Sequence, residues 1–326
     1  RLALTIATGA QGSPIFLLYS DPAGAALASM EAAAGQRAAD ARYRDEDGVE
    51  HELWAVTDAA ALAGLTAALA PKTFYLADGH HRYETALSYQ RWRRGGGLPA
   101  APAPAPLTSW QGVPHFTPIP PAPPAAPQPF DAAWVYATAM EDPGLAILPT
   151  HRCIHDLPGF DAEQLLAGLR RDFVVTPLED EDALKTLDFF GRSPTSGTSF
   201  TLLLPGQPAG YLLEMRADPA TIARLHADYP PTVAAVDVAA LQSLALGPLL
   251  GIDPDPTELK RFVAFTPNAS EAMEGVRAGR YQAAFLVHAT PLAQLQSVSD
   301  AGEVMPPKAT YFYPKLPAGL VINCVE

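Results

Sequence analysis

A run of basic residues follows directly after an Asp-Gly pair in the stretch FYLADGHHRYETAL. Asp78 and Gly79 are typical of a turn, and His80, His81 and Arg82 come immediately after them. Imidazole and guanidinium groups donate hydrogen bonds to phosphate and carboxylate oxygens, so three of them at one bend could hold an anion. Glycine would allow a ligand to approach the backbone closely.

The elements around this bend predict how those side chains are positioned. Residues 73–77 (TFYLA) are typical of a short buried strand, and a helix is expected from about His80. The first amides of a helix have no partner within it, and the helix dipole favours negative charge there. Each cation at that end opposes the dipole by roughly 0.3–1 kcal/mol unless an anion lies between them. The pattern therefore predicts an anion site, most naturally for phosphate.

A simpler interpretation of the bend stays open. Asp78 could be an ordinary N-cap, with both histidines solvated or bonded within the fold. Glu84 lies four residues after His80, so the two could pair for helix stability alone. Otherwise Glu84 has a catalytic or supporting role in the anion site.

A second group of candidates lies in the stretch HRCIH. His151, Cys153 and His155 alternate, so on a strand they would share a face, as metal ligands can. The sequence offers no second cluster for the remaining zinc ligands. We therefore expect His151 and Arg152 to add positive charge to the anion site, or else to form an edge-strand pair.

The C-terminal stretch MPPKATYFYPKLPAGL supplies the remaining candidates. Its prolines stiffen a loop that could direct Lys308 and Lys315 towards a phosphate. Tyr311 and Tyr313 alternate, so they share a face and could line the same site. The alternative is a solvated loop with aromatic packing.

Composition excludes several other classes of protein. The 326-residue chain has a formal net charge of −13, which argues against a nucleic-acid partner. No apolar run approaches the roughly 20 residues of a membrane span. Two cysteines are too few for a disulfide framework, and they fit a reducing cytoplasm. Phosphate-loop, dinucleotide-binding, nucleophile-elbow and Cys-x-x-Cys motifs do not occur in the sequence.

The pattern of elements predicts an α+β (mixed α/β) fold, because strand and helix signals alternate along the first third of the chain. Asp58 is a predicted N-cap, and VDVAALQSLALGPLLGI is expected to be helical until Gly247-Pro248. Thr290 is predicted to cap another helix that begins at Pro291. Residues 98–129 are rich in proline and predict a surface insertion, or else a docking segment for a partner that recognises proline.

The sequence also resembles a known family. ADGHHRYETAL, EDPGLAILPTHR, AAFLVHATP and MPPKATYFYPKLPAGLVIN are similar to the motifs of domain-of-unknown-function family 1015. The resemblance covers nearly the whole chain except the proline-rich insertion. The Asp-Gly-His-His-Arg core further resembles the ParB/sulfiredoxin-like superfamily, in which such a turn holds nucleotide phosphates.

The resemblance implies a division of the chain and a set of roles. Residues 1–97 would be a ParB-like nucleotide-binding part, 98–129 an insertion or linker, and 130–326 an α+β part contributing to the same cleft. By this resemblance Gly79, His80, His81 and Arg82 would contact phosphates, and Asp78 or Glu84 would serve as magnesium ligand or general base. Further candidates for contact with phosphate or nucleotide are Tyr83, Thr85, His151, Arg152, Lys308, Tyr311 and Lys315.

Two departures from the family qualify these roles. Family members usually carry a further N-terminal portion, so this chain is expected to begin after it and, if that portion supplies part of the site, to bind without turnover. His288 stands where relatives often have asparagine, and the resemblance gives it no role.

The resulting hypothesis is a cytoplasmic phosphotransferase that uses Mg²⁺ and ATP, ADP or CTP to phosphorylate a small hydroxylated metabolite such as serine. Nucleotide and metal are both implied by the resemblance alone. The first alternative is a non-catalytic nucleotide or metabolite sensor, and the second is a scaffold that docks partners through its proline segment. In each case the expected ligand is a small anion, with no nucleic-acid or membrane partner.

Overall fold

The computed structural model describes residues 1–35, 37–46, 48–95, 126–179, 197–207 and 209–326. These residues form two compact units. The first contains the described residues up to 95 together with 126–146 and 314–326, and the second contains the described part of 147–313. The predicted proline-rich insertion lies outside the described residues except for 126–129. The predicted boundary at 130 does not coincide with this division, because the strand that follows it pairs within the first unit.

The first unit contains four α-helices and seven strands among its described residues. The helices are α1 (Leu2–Thr8), α2 (Ala25–Ala34), α3 (Ala59–Leu69) and α4 (His80–Arg93). The strands are β1 (Ala10–Gln11), β2 (Ile15–Tyr19), β3 (Ala41–Arg44), β4 (Glu50–Leu53), β5 (Tyr75–Asp78), β6 (Val135–Ala139) and β15 (Asn323–Cys324).

A three-stranded sheet of order β5-β2-β6 organises the first unit. Strand β2 (IFLLY) lies at its centre because its apolar residues are covered on both faces. It pairs with β5 in antiparallel and with β6 in parallel orientation. On one face Tyr19, Ala26 and Ala139 form a small core against α2 and α3. The start of α4 is thereby held at the edge of the sheet where β5 ends.

The second unit is built on a six-stranded antiparallel sheet of order β12-β8-β13-β10-β11-β9. The strands are β7 (Ala146–Leu148), β8 (His151–Ile154), β9 (Phe173–Pro177), β10 (Ser199–Leu203), β11 (Tyr211–Met215), β12 (Val263–Thr266), β13 (Ala283–Leu286) and β14 (Tyr311–Tyr313). The helices are α5 (Ala162–Leu169), α6 (Pro219–Asp228), α7 (Pro231–Ala234), α8 (Asp237–Leu241), α9 (Gly247–Leu250), α10 (Pro256–Phe262), α11 (Ala269–Arg277) and α12 (Leu292–Asp300). Phe173, Phe200 and Phe285 lie in its main core.

The helical stretch around Gly247-Pro248 differs from the prediction. It does not stop there, but continues as α9 to a left-handed cap at Gly251. A π-helical turn (Gln242–Leu246) precedes the proline, and the Gly247 amide bonds back to the Gln242 carbonyl. This wider turn accommodates the missing proline N–H, so the helix passes through without breaking.

Two further details correct the sequence predictions. The N-cap of α12 is Pro291 and its first helical residue is Leu292, because the Thr290 hydroxyl donates instead to the Ala309 carbonyl at 2.7 Å. Strand β5 covers residues 75–78 and not 73–77, which places Asp78 on the strand. The predicted cap at Asp58 is confirmed, since its carboxylate accepts from the Ala61 amide at 2.8 Å.

The fold is α+β, as predicted, because helices pack with a mixed three-stranded sheet in the first unit and with an antiparallel six-stranded sheet in the second. None of the helices in the described part of the chain combines the length and the apolar character needed to span a membrane.

Candidate functional site

The bend between β5 and α4 is made by a single glycine in the left-handed region. Gly79 has φ 93° and ψ 25°, a conformation that residues with a Cβ rarely adopt. A Cβ at this position would lie 2.7 Å from Arg82 Nε and 2.9 Å from its Nη2. Glycine is therefore needed both for the backbone conformation and for the close approach of the guanidinium.

Arg82 folds back over this bend and pairs with Asp78. Its Nη2 lies 2.7 Å from Asp78 Oδ2, and the side chains are 25% and 55% exposed. Asp78 is therefore the ion-pair partner of Arg82, while Gly79 occupies the N-cap position. This rules out the simpler interpretation of Asp78 as an ordinary N-cap.

The two histidines have different surroundings. His81 is 83% exposed, and its Nδ1 lies 3.2 Å from Glu84 Oε2. Glu84 therefore forms an ion-pair contact with His81, the residue next to the predicted partner His80. Protein atoms around His80 desolvate its imidazole and lower its pKa, although nearby Asp78 and Glu84 act in the opposite direction. His80 is accordingly neutral at pH 7.

The start of α4 is formed by Gly79, which stands at the N-cap position and has no side chain that could cap the helix. The amides of Arg82 and Tyr83 both donate to the Gly79 carbonyl, at 2.8 and 3.0 Å. The amides before them belong to the first turn, where helices bind anions. A partly buried guanidinium, two imidazoles and a helix N-terminus thus occur at one bend.

Tyr83 and Thr85 were predicted as further contacts and are oriented by the helix. The Thr85 hydroxyl donates to the His81 carbonyl at 2.6 Å, so its proton is used within α4. Burial raises the pKa of the Tyr83 phenol, which stays protonated and able to donate. Their role in ligand binding stays a prediction.

Tyr136 is a candidate that the sequence did not reveal. Sheet register places Asp78 opposite Phe16 on one side, and Tyr136 opposite Phe16 on the other. Cross-strand partners share a face, so the three residues form a row that spans about 10 Å at the usual strand spacing. The rings of Phe16 and Tyr136 are 5.2 Å apart, and Tyr136 is 41% exposed. An exposed aromatic ring therefore stands beside the basic bend.

His151 lies in the interior of the second unit. It is fully buried, and its Nδ1 accepts from the Val287 amide at 3.2 Å. Burial, with a contribution from Arg152 and His288, lowers its pKa to about 3. The ring is therefore neutral at pH 7 and adds no positive charge to any site, contrary to the expectation from sequence.

Arg152 is also buried, on the opposite face of β8. Its guanidinium donates to the carbonyls of Thr150 and, at 2.9 Å, Lys308, and its Cζ lies 5.6 Å from the centre of the Phe265 ring. Burial lowers its pKa to about 9, so it stays charged at pH 7. These contacts give Arg152 a structural role in holding the loop before β14.

The possible zinc ligands of HRCIH do not form a cluster. Strand β8 ends at Ile154, and His155 beyond it pairs with Asp156 at 2.9 Å. The described residues contain no group of three or more His, Cys, Asp or Glu side chains able to hold a metal ion.

The three C-terminal candidates belong to different units. Lys308 and Tyr311 are in the second unit, where Lys308 has an unusual φ of 57° and an exposed side chain. Tyr311 and Tyr313 flank the buried Phe312 on β14, so they share a face as predicted. Lys315 is in the first unit and lines a cavity with Tyr43 and the end of the β3–β4 hairpin.

Together these features define an α+β protein whose first unit presents a basic bend capped by glycine. The chain belongs to the family described as "Protein of unknown function (DUF1015)", whose model matches residues 1–239. The family predicted from the sequence motifs is thereby confirmed, while the wider ParB/sulfiredoxin-like resemblance stays a prediction.

Comparison with solved structures gives several distant likenesses. A conserved hypothetical protein from Pyrococcus furiosus has a TM-score of 0.40 and 11% identity, covering 97% of this chain and 83% of the other. A free serine kinase in complex with AMP has a TM-score of 0.42 and 10% identity. A mutant free serine kinase in complex with ADP has a TM-score of 0.43 and 11% identity. Both comparisons with the kinase cover 100% of this chain and 82% of the kinase chain. No curated protein matches the chain.

Proposed function

We propose that this protein is a nucleotide-dependent phosphotransferase whose phosphate site is the bend from Asp78 to Arg82. The observation that carries the proposal is the left-handed Gly79, which allows the Arg82 guanidinium to fold back over the start of α4. Phosphoryl transfer requires charge neutralisation and positioning more than covalent chemistry, and the bend supplies both.

Each group at the bend has a distinct part in this proposal. Arg82 provides a planar, permanently charged donor, while the first amides of α4 provide fixed dipoles. His80 and His81 donate to phosphate oxygens, and a bound anion would favour the charged form of His80. Tyr136 offers a ring on which the nucleotide base stacks, with the phosphates directed towards Asp78 and Arg82.

The two carboxylates of the bend would bind the metal ion and accept the proton. Magnesium bound to a nucleotide needs only one or two protein carboxylates, because phosphates and water supply its other ligands. Asp78 fits this role with the oxygen that does not face Arg82. In this proposal Glu84, 47% exposed, accepts the proton that the attacking hydroxyl loses as its oxygen bonds to phosphorus. The bond from that phosphorus to the bridging oxygen breaks, and the rest of the nucleotide leaves with the oxygen and its electron pair. Serine is the first acceptor to test, by superfamily resemblance.

Isothermal titration with ATP, ADP and CTP, each with and without Mg²⁺, tests the binding step. For whichever nucleotide binds, Arg82→Gln should lower the affinity about tenfold to a hundredfold, because the substitution removes a charge-assisted contact to phosphate. Arg91→Gln is the matched control, since Arg91 is exposed on the last turn of the same helix. Failure of all three nucleotides to bind, or equal affinities of the two variants, would disprove the proposal.

A second function is favoured by the pairing of both carboxylates. Asp78 contacts Arg82 and Glu84 contacts His81, so each carboxylate already has a basic partner before any ligand arrives. Such a site suits a sensor in which the anion competes for the cations and no chemistry follows. Phosphate transfer from the bound nucleotide to serine and other small alcohols separates the two functions, because a sensor binds without turnover.

A further inference from the structure

A cavity of about 550 Å³ lies in the first unit, away in sequence from the basic bend. One wall is the β3–β4 hairpin with Tyr43, Asp45 and Glu46, and the other is formed by residues 315–320. Its volume falls within the roughly 300–1,000 Å³ of small-molecule sites. As far as the described residues show, no residue of the bend lines it.

Side-chain contacts within the hairpin support its wall of the cavity. Asp45 accepts from the Val49 amide at 2.8 Å, and its other oxygen lies 2.9 Å from His51 Nε2. His51 in turn stacks with Tyr43 across the two strands, with ring centres 6.0 Å apart and an interplanar angle of 26°. The Tyr43 ring is still 46% exposed. A supported aromatic surface therefore stands beside two carboxylates.

The opposite wall is fixed to the body of the same unit. The Gly319 amide donates to the Gly12 carbonyl at 2.7 Å, and β15 follows it to pair with β1. Lys315 and the apolar residues Leu316 and Pro317 line the cavity on this side. The cavity thus has an acidic, aromatic side and a basic, apolar side.

The charged residues that line the cavity indicate which class of ligand it could bind. An aromatic ring beside two carboxylates is suited to an organic ammonium, which is attracted to the face of the ring and forms charge-assisted hydrogen bonds with carboxylate oxygens. Lys315 is suited to a carboxylate, and the apolar residues next to it to a hydrocarbon side chain. A polyphosphate would meet two carboxylates for one lysine, so nucleotides are disfavoured here. We propose that this cavity binds a small zwitterion of the α-amino-acid class with an apolar side chain.

Isothermal titration with leucine, leucinamide and 4-methylpentanoate tests the proposal directly. Leucinamide lacks the carboxylate and 4-methylpentanoate lacks the ammonium, so each should bind about tenfold more weakly than leucine. Lys315→Met should abolish the difference between leucine and leucinamide. Glu46→Gln should reduce the difference between leucine and 4-methylpentanoate.

Lys260→Met and Glu163→Gln, two exposed positions of the second unit, are the matched charge controls and should leave all three affinities unchanged. Thermal melts of each variant exclude loss of fold as a cause. The proposal is overturned if leucine does not bind saturably at millimolar concentration, or if Lys315→Met still prefers leucine to leucinamide. Because Arg82→Gln leaves this cavity intact, loss of nucleotide binding and loss of amino-acid binding are separate outcomes.

Discussion

His80 is the histidine of the bend whose pKa is lowered by the surrounding protein. Desolvation lowers its pKa, so the free protein carries a neutral ring at pH 7. A bound anion stabilises the imidazolium, so binding takes up a proton, and affinity must rise as pH falls.

Sulfate is a suitable probe of this effect because its own charge is constant near neutrality. We expect its affinity to increase by several fold between about pH 7.5 and about pH 5.5, the range in which histidine titrates. His80→Gln should remove most of that increase, as measured by titration calorimetry. His226→Gln, on the exposed face of α6, should not change it. A pH dependence that is identical in both variants would assign the proton to another group.

Asp237 gives a residue-scale prediction in the second unit. Burial raises its pKa to about 6, while a hydrogen bond with Thr198 opposes the shift. The folded protein therefore binds this proton more tightly than the unfolded chain does. The stabilisation is complete below about pH 4 and is lost as pH rises through about 6, at a cost of up to about 3 kcal/mol.

Asp237→Asn imitates the protonated carboxyl, so it should raise the free energy of unfolding at pH 8 and change it little at pH 4, as measured by urea denaturation. Asp218 provides a control of opposite sign, because its bonds to the first turn of α6 lower its pKa. Asp218→Asn should slightly reduce stability at pH 8. A gain from Asp237→Asn that is equal at both pH values would contradict the assignment.

At the scale of elements, Gly79 has two roles, because it joins β5 to α4 and also leaves space for the Arg82 guanidinium. Gly24 makes a useful comparison, since it also caps a helix in the left-handed region, with φ 65°. A Cβ at Gly24 would meet no atom within 4 Å, whereas one at Gly79 would collide with the guanidinium.

Both Gly79→Ala and Gly24→Ala should lower the free energy of unfolding by about 1–2 kcal/mol, the cost of left-handed backbone strain. Only Gly79→Ala should also weaken ADP or sulfate binding, by tenfold or more, because it displaces Arg82. Thermal denaturation and calorimetry measure the two effects separately. Equal binding by both variants would show that the position of Arg82 does not matter.

The elements of the bend could be predicted because their signals are local. An apolar run, an Asp-Gly pair and a helical pattern follow one another within twenty residues. The partner of Asp78 could not be predicted, since it depends on the rotamer of Arg82 over a positive-φ glycine. Tyr136 was missed for a different reason. Its strand pairs in parallel with β2, some 120 residues earlier, and sequence pattern does not specify such a pairing.

At the scale of the whole molecule, the first unit is assembled from distant parts of the chain. Its central strand pairs with β6, and the C-terminal segment returns to pair with β1. A division of the sequence at its proline-rich segment cannot anticipate this arrangement, because composition marks linkers but not which strands pair across them. The cavity lined by Lys315 also exists only through this return.

The C-terminal segment should therefore stabilise the first unit specifically. Val325 is fully buried and its amide donates to the Gly9 carbonyl at 2.8 Å, while Asn323 pairs with Gln11. Removing residues 319–326 deletes this buried valine, exposes the apolar surface that it covers and unpairs β1. The free energy of unfolding should therefore fall by about 2–3 kcal/mol. Hydrogen exchange should accelerate in α1 and β1 and stay unchanged in β13 of the second unit. Cys324→Ser, an exposed side-chain change that keeps the backbone pairs, should leave both regions protected. Equal acceleration in β13 would instead mean that the two units unfold as one.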